Sequence, residues 1–390
     1  MGKKASVVPP IMAGLISVIV NYGGTFILIF QAAQMAGLSP EQTASWVWSI
    51  SIGVGITGIL LSWYTKEPII TAWSTPAAAF LITALVTVSY SEAIGAYIIS
   101  ALAFVILGLS GYFEKLIKLI PPGIASGLLA GILLQFGIAA FLNMSITPVL
   151  AISLFIIYLL TKRFSPRYAI VSVLVFGFII LTLQSQVNFA GFEFKLAYPL
   201  FTEPTFSMNA TLSVALPLFL ITLTGQYMPG LIILKNDGFK TKAKPILAIT
   251  GVGSIIMAPF GSHAFNLSSI ASAICTGKEA HEDPSKRWIA GVTAGIFYII
   301  VGLFGVTLAA IFAAFSATFI SSLAGLALLS TITGSLSSAM SEENTREAAV
   351  ITFLATAANI NIFGISGAFW GLVLGITAYF ILNLKLKKAK

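Results

Sequence analysis

Charge is what this 390-residue chain has least of: Asp, Glu, Lys and Arg together make up 9% of it, against 57% hydrophobic residues and a mean hydropathy of +0.98. A chain so poor in charge cannot cover a core with polar surface, so the soluble globular class is excluded and the solvent is lipid. Cysteine occurs once, at Cys275. This excludes an intramolecular disulfide and a multi-cysteine metal site, and the residue reads as a buried, inert thiol. Histidine occurs only at His263 and His281. Gly-x-Ser-x-Gly, His-Glu-x-x-His, a P-loop and a carboxylate pair are all missing, so enzyme readings and an ATP-driven pump within this chain find no support and no cofactor or metal is implied. His281-Glu282-Asp283-Pro284 reads as the solvated cap before Arg287-Trp288.

What the chain does have is apolar stretches. A membrane-crossing helix needs about 20 apolar residues. About fourteen stretches qualify once short broken ones are included, at 11–35, 44–63, 69–89, 92–112, 122–141, 146–161, 168–187, 209–234, 245–259, 260–276, 288–304, 307–334, 347–359 and 363–384. The first is too long, and too polar around Tyr22, for a signal peptide. The longest polar interval, 186–209, reads as a link between two halves, 1–190 and 207–390. The net charge of +8 is explained by placement. With the N-terminus inside, twenty of the 21 Lys and Arg residues fall on the cytoplasmic side and only Lys195 falls outside. The basic excess therefore reflects topology and anionic headgroups, not a nucleic-acid partner. Both termini are expected in the cytoplasm, and seven spans per half make the halves inverted repeats.

Two spans are broken by proline at matching places. Pro68-Ile-Ile-Thr-Ala-Trp-Ser-Thr-Pro76 and Pro259-Phe-Gly-Ser-His-Ala-Phe-Asn266 begin 191 positions apart, close to half the chain. Residues 69–74 lean towards β structure, with Ser74 or Thr75 as N-cap and Pro76 opening a helix. In the second segment Ser262–Phe265 is expected to be extended, and a helix capped by Asn266 runs through Ile274. Extended backbone at bilayer depth must be packed in protein or line a wet cavity. If the two segments cross antiparallel, two helix starts converge and form a site suited to a carboxylate.

Other polar residues within spans supply walls. Gln226, in Leu223-Thr-Gly-Gln-Tyr-Met-Pro-Gly230, is costly in hydrocarbon unless paired, and its flanking Tyr227 and Pro229 favour a role in cargo binding. Its counterpart in the first half lies near Tyr22-Gly-Gly-Thr25, whereas Asn21, Gln31 and Asn361 read equally well as helix contacts. The candidate binding set is Tyr22, Trp73, Ser74, Thr75, Pro76, Gln226, Tyr227, His263, Phe265 and Asn266, with Trp73, Tyr227 and Phe265 placed to pack on a ring. No Asp or Glu lies in the core of any span, which leaves His263 as the only titratable midplane side chain, read equally well as a proton carrier or as a structural histidine hydrogen-bonded into the extended segment.

The stretch Pro259–Trp288, together with Ile70-Thr-Ala-Trp-Ser-Thr-Pro76 and Thr224-Gly-Gln-Tyr-Met-Pro-Gly230, resembles the BenE-type benzoate:proton symporter family over essentially the whole chain. The resemblance implies an all-α polytopic protein of the cell (inner) membrane, with fourteen spans, seven inverted on seven. It also implies a core domain from spans 1–4 and 8–11 and a gate domain from spans 5–7 and 12–14. The more remotely related nucleobase permeases carry acidic residues where this chain has Gln226 and Asn266, a departure that suits an anionic cargo. The expected partners are an aromatic carboxylate, a proton and the lipid bilayer, with the oligomeric state open, a homodimer included. The alternatives are a nucleobase or other small-anion permease, and from other classes a membrane-embedded enzyme or a channel.

The charge pattern yields a direct test. In sealed cells an impermeant thiol reagent should label Tyr198→Cys and leave Lys240→Cys unmodified; the reverse pattern would overturn both the orientation and the span count.

Overall fold

A computed structural model describes residues 7–113, 115, 121–184, 195–278, 280–307, 310, 314–360, 362 and 367–384. Eight of its helices, counted among the described residues, are long and apolar enough to cross a membrane. α1 (Val8–Thr25) and α2 (Ile27–Met35) form one such span, interrupted at Phe26. α3 (Pro40–Thr65) starts at a capping box, with the Ser39 side chain on the Gln42 N–H and the Gln42 side chain returning to the Ser39 N–H. A short strand β1 (Thr71–Trp73) leads into α4 (Thr75–Ala84), and Ser89 caps α5 (Tyr90–Ser110) by a second box with Glu92. α6 (Pro122–Ile146), α7 (Pro148–Phe164) and α8 (Ala169–Leu183) complete the first half.

In the second half, Ser207 caps a long span, α9 (Met208–Asn236), followed by α10 (Ala243–Met257). A strand β2 (Phe265–Leu267) and a short helix α11 (Ile270–Cys275) come next. α12 (Trp288–Leu303), α13 (Ala317–Ala339), α14 (Glu343–Ala357) and α15 (Gly367–Leu382) end the chain. One expected span differs. The stretch expected at 307–334 is divided: residues 305–307 and 310 are helical, and α13 starts afresh at Ala317, where Ser316 adopts extended backbone and its hydroxyl accepts from the Phe319 N–H.

The helices pack in two sets. α3 lies along α12, α5 along α10, and α1 contacts both α12 and α11, enclosing the two strands. In the other set α6 is the hub for α13 and α14, while α15 rests on α14 and α7 on α8. Lipid tails provide no hydrophobic drive between helices, so close association relies on small residues at the contact. Gly55 and Gly295 face each other across the α3–α12 contact so tightly that a Cβ on either would sit 2.6 Å from the other's carbonyl oxygen. On α7 and α8 the residues turned outward are large and apolar, as in Ile152, Ile156, Val175 and Ile179. That is stable only against lipid.

The link between the halves is laid down on the first set of helices. The Ala197 N–H donates to the Leu303 carbonyl, Thr202 to Pro259 and Thr205 to Ser91. The polar turn before α12 is a cap exposed at Glu282, Asp283 and Pro284, with the Asp283 side chain on the Ser285 N–H, but it closes over a buried His281 and Arg287. Arg287 is 3% exposed, and its guanidinium donates to the carbonyls of His281 and Thr276, both at 2.7 Å. Enough carbonyls converge there to satisfy a buried guanidinium, so the turn folds around it.

Gly295→Val would place two methyl groups against the α3 backbone. The expected cost is about 1–3 kcal/mol, read as a lowered thermal unfolding midpoint in detergent. An unchanged midpoint would show that the contact is slack.

Candidate functional site

The two broken spans meet as strands. β1 and β2 pair antiparallel with Thr71 opposite Leu267, Ala72 opposite Asn266 and Trp73 opposite Phe265. The Ser268 N–H extends the ladder to the Ile70 carbonyl at 2.8 Å. Each strand thus satisfies the backbone groups that the other leaves open, as buried extended chain at bilayer depth requires.

At the end of β1, Ser74 is the N-cap. Its hydroxyl accepts from the Ala77 N–H at 3.3 Å and its carbonyl from the Ala78 N–H at 2.8 Å, with Thr75 and Pro76 opening α4. The second segment departs from expectation. Asn266 is a strand residue and not a cap, and the helix begins four residues later, at Ile270. Pairing with Ala72 holds Asn266 extended, and the Ser268 hydroxyl accepts from the Ala271 N–H at 3.1 Å in its place. Asn266 instead ties the crossing together. Its amide oxygen accepts from the Ser74 N–H at 3.1 Å and its nitrogen donates to the Leu267 carbonyl at 2.9 Å.

Gln226 completes the arrangement from α9, which contains two π-helical turns, Thr211–Ala215 and Leu223–Tyr227. The second holds Gln226, and such turns widen a helix locally and often occur at functional sites. The Gln226 Oε1 accepts two hydrogen bonds from one residue, the Ser269 N–H at 3.2 Å and the Ser269 hydroxyl at 3.1 Å. Beside it Gly225 leaves room for Pro76, whose Cγ a Cβ would approach at 3.4 Å, and for Leu129 of α6 at 3.7 Å. Strand end, π-turn and α6 therefore meet at one place.

The expected ring-packing residues divide. Trp73 is buried in an aromatic cluster with Tyr22, Phe26 and Tyr298, at centroid distances of 5.2, 5.0 and 5.9 Å, and its indole N–H donates to Thr25 at 3.1 Å. The Tyr22 hydroxyl bonds Ser51 at 2.6 Å. Asn21, one position earlier, donates to the Tyr298 hydroxyl and so is a contact between α1 and α12. Phe265 turns away from Gln226 and fills the gap left by Gly53 and Gly253, where a Cβ would meet its ring at 2.5 and 3.0 Å. Tyr227 also turns away, stacking 4.9 Å from Phe104 with its hydroxyl 2.6 Å from Thr250. Neither ring is presented to Gln226, because adjacent residues on a strand or helix point to different sides.

His263 is fully buried and its Nδ1 accepts from the Trp46 indole N–H at 3.2 Å, so this nitrogen is unprotonated. Its Nε2 forms no hydrogen bond of good geometry with a protein group. Trp46, Ser268 and Ser269 belong to the arrangement without having been anticipated, whereas Thr25 ends the Tyr22–Thr25 stretch already named as the counterpart of Gln226. The two serines had a sequence signal, a Ser-Ser pair directly before the apolar run of α11; Trp46 lies 217 positions from His263 and had none.

Open space lies along the seam between the two helix sets. Two cavities of about 410 Å³ share Gln31 and Gln34, and one of them shares Thr83 and Gln135 with a third of about 160 Å³. Among the described residues no ionisable side chain lines any of the three. Asn361, another polar residue considered for the spans, lies outside the described residues.

The architecture has the fold of two solved membrane proteins. It superposes on the transmembrane domain of a cyanobacterial bicarbonate transporter, BicA, with a TM-score of 0.60 at 14% identity, covering 98% of this chain and 99% of that one. It superposes on SLC26A9 with a TM-score of 0.61 at 10% identity, covering 96% of this chain and 65% of that one. These likenesses show the fold. The family follows from sequence: residues 4–381 match the model of the benzoate membrane transport protein family, BenE, and the chain belongs to that family. It is 44% identical to a benzoate membrane transport protein of Acinetobacter baylyi, over 95% of this chain and 94% of the relative. It is 40% identical to the inner membrane protein YdcO of Escherichia coli, over 96% of each.

Proposed function

We propose that this protein imports an aromatic carboxylate, benzoate, together with a proton, by alternating access across the inner membrane with both termini in the cytoplasm. The observation that carries the reading is the double hydrogen bond from Ser269 to a single oxygen, the Oε1 of Gln226. Two donors converging on one acceptor make a cradle for an oxygen bearing partial or full negative charge. A cargo carboxylate oxygen takes that position as Gln226 swings aside and turns its amide N–H groups towards the anion. The short pairing of β1 with β2 keeps the cradle rigid, and Asn266 and Thr75 flank it. Trp73 and Tyr22 belong to the aromatic wall behind it and present edges to the cargo ring.

The proposed domains follow the two packing sets. A core of spans 1–4 and 8–11 carries the crossed strands, a gate of spans 5–7 and 12–14 carries Leu129, and the two halves are inverted repeats of seven spans. The seam between them accommodates relative movement, and its uncharged lining suits a cargo whose charge is cancelled in transit by a proton. His263 was the candidate carrier from sequence. Because the Trp46 indole occupies the lone pair on its Nδ1, we assign the proton to the cargo carboxylate and a positioning role to His263.

Gln226→Ala and Ser269→Ala should each weaken benzoate binding by about 1–3 kcal/mol, the cost of a lost buried hydrogen bond, measured by calorimetry on protein with an unaltered unfolding midpoint. Unchanged affinity in both would place the site elsewhere. A thermal-shift comparison of benzoate with uracil and bicarbonate separates this reading from the nucleobase and small-anion permeases: benzoate alone should stabilise the protein.

The second test concerns coupling. His263→Gln keeps a neutral side chain in place and should retain stimulation of benzoate uptake by an inward proton gradient in proteoliposomes. Loss of that stimulation with binding intact would make His263 the carrier.

A further inference from the structure

The ends of α5 and α9 and the start of α10 enclose a cavity of about 540 Å³, apart from the seam and from the crossed strands. Its floor is apolar, with the half-buried Leu231 and Phe239 lying over the buried Phe113 and Leu234. Its rim carries Lys235, Lys240, Lys242 and Lys244, with no acidic residue among the described lining. None of these four ammonium groups is paired with a carboxylate among the described residues. Of the described carboxylates, Glu67 and Asp237 come near and are engaged elsewhere. Glu67 accepts from the Lys240 backbone N–H at 3.2 Å and from the Thr241 hydroxyl, and Asp237 accepts from the Thr276 hydroxyl at 2.5 Å. Those bonds fasten the loop between α9 and α10 to the ends of α3 and α11, so the four lysines stand on an anchored loop.

Four unpaired cations above an apolar floor, where three spans leave the bilayer, call for an amphipathic anion. A free phosphate satisfies the rim and leaves the half-buried Leu231 and Phe239 against water. A phospholipid satisfies both, with its phosphate among the lysines and its glycerol and first methylenes on the floor. We propose that this cavity binds an anionic phospholipid, which ties the α5–α9–α10 face to the leaflet. The inference does not rest on the identity of the cargo, so the two can fail separately.

Purified full-length protein in a neutral detergent, titrated with phosphatidylglycerol, phosphatidylcholine or inorganic phosphate, provides the test. Phosphatidylglycerol should raise the unfolding midpoint by roughly 2–5 °C at saturation, and phosphatidylcholine and phosphate should leave it unchanged. In the variant K235Q/K240Q/K242Q/K244Q the phosphatidylglycerol shift should vanish, whereas K278Q/K286Q, with two lysines of another turn neutralised, should keep it. The double variant K240Q/K244Q covers the case of a quadruple variant that does not fold, and should lose at least half of the shift. A full shift in either lysine-rim variant, an equal shift with phosphatidylcholine, or an equal shift with inorganic phosphate would overturn the proposal.

Discussion

The constraint on which this structure depends is that backbone N–H and C=O groups find no partner in hydrocarbon. The chain breaks its helices twice at bilayer depth, which would be prohibitive for either segment alone. Antiparallel pairing of Thr71–Trp73 with Phe265–Leu267 resolves both breaks together. The serine and asparagine side chains around the crossing serve the same constraint. Ser74 and Ser268 occupy helix-start N–H groups, Asn266 occupies the Ser74 N–H, and Gln226 occupies the Ser269 N–H.

Satisfying those groups also shapes the proposed binding site. A backbone that must be paired in the protein can be paired by a ligand instead, and the Gln226 oxygen is where we propose that exchange. The π-turn that carries Gln226 brings α9 beside Pro76 and α6 at the same point. The chemistry is held by short rigid segments rather than by loops, with Phe265, Tyr227 and Trp73 locking them from behind. Rings that the sequence offers as contacts for cargo serve here as packing. Phe265 and Tyr227 are the clear cases, since each fills a space shaped by Gly53 and Gly253 or by Phe104 and Thr250.

Much of this was legible because the bilayer restricts the options. Span positions follow from apolar length, and the helix starts at Ser39, Ser89 and Ser207 carry the usual capping residues. The paired proline breaks identified the crossing before any coordinates. Legibility failed where the answer depended on a partner distant in sequence. Asn266 looks like a cap in its local context, and only its pairing with Ala72 makes it a strand residue. The break before Ala317 falls inside an expected span, because hydropathy does not register the extended conformation of Ser316.

By itself the sequence determined the solvent, the family, the position of the two breaks and the lack of fixed charge in the spans, all of which are properties of residue type and order. The tertiary structure alone decided which polar atoms are already taken. That the Nδ1 of His263 is held by Trp46, that Ser269 converges on Gln226, and that Tyr227 faces Phe104 are contacts between residues as many as 217 positions apart. Composition and periodicity describe one element at a time, whereas a hydrogen bond between elements depends on how they pack.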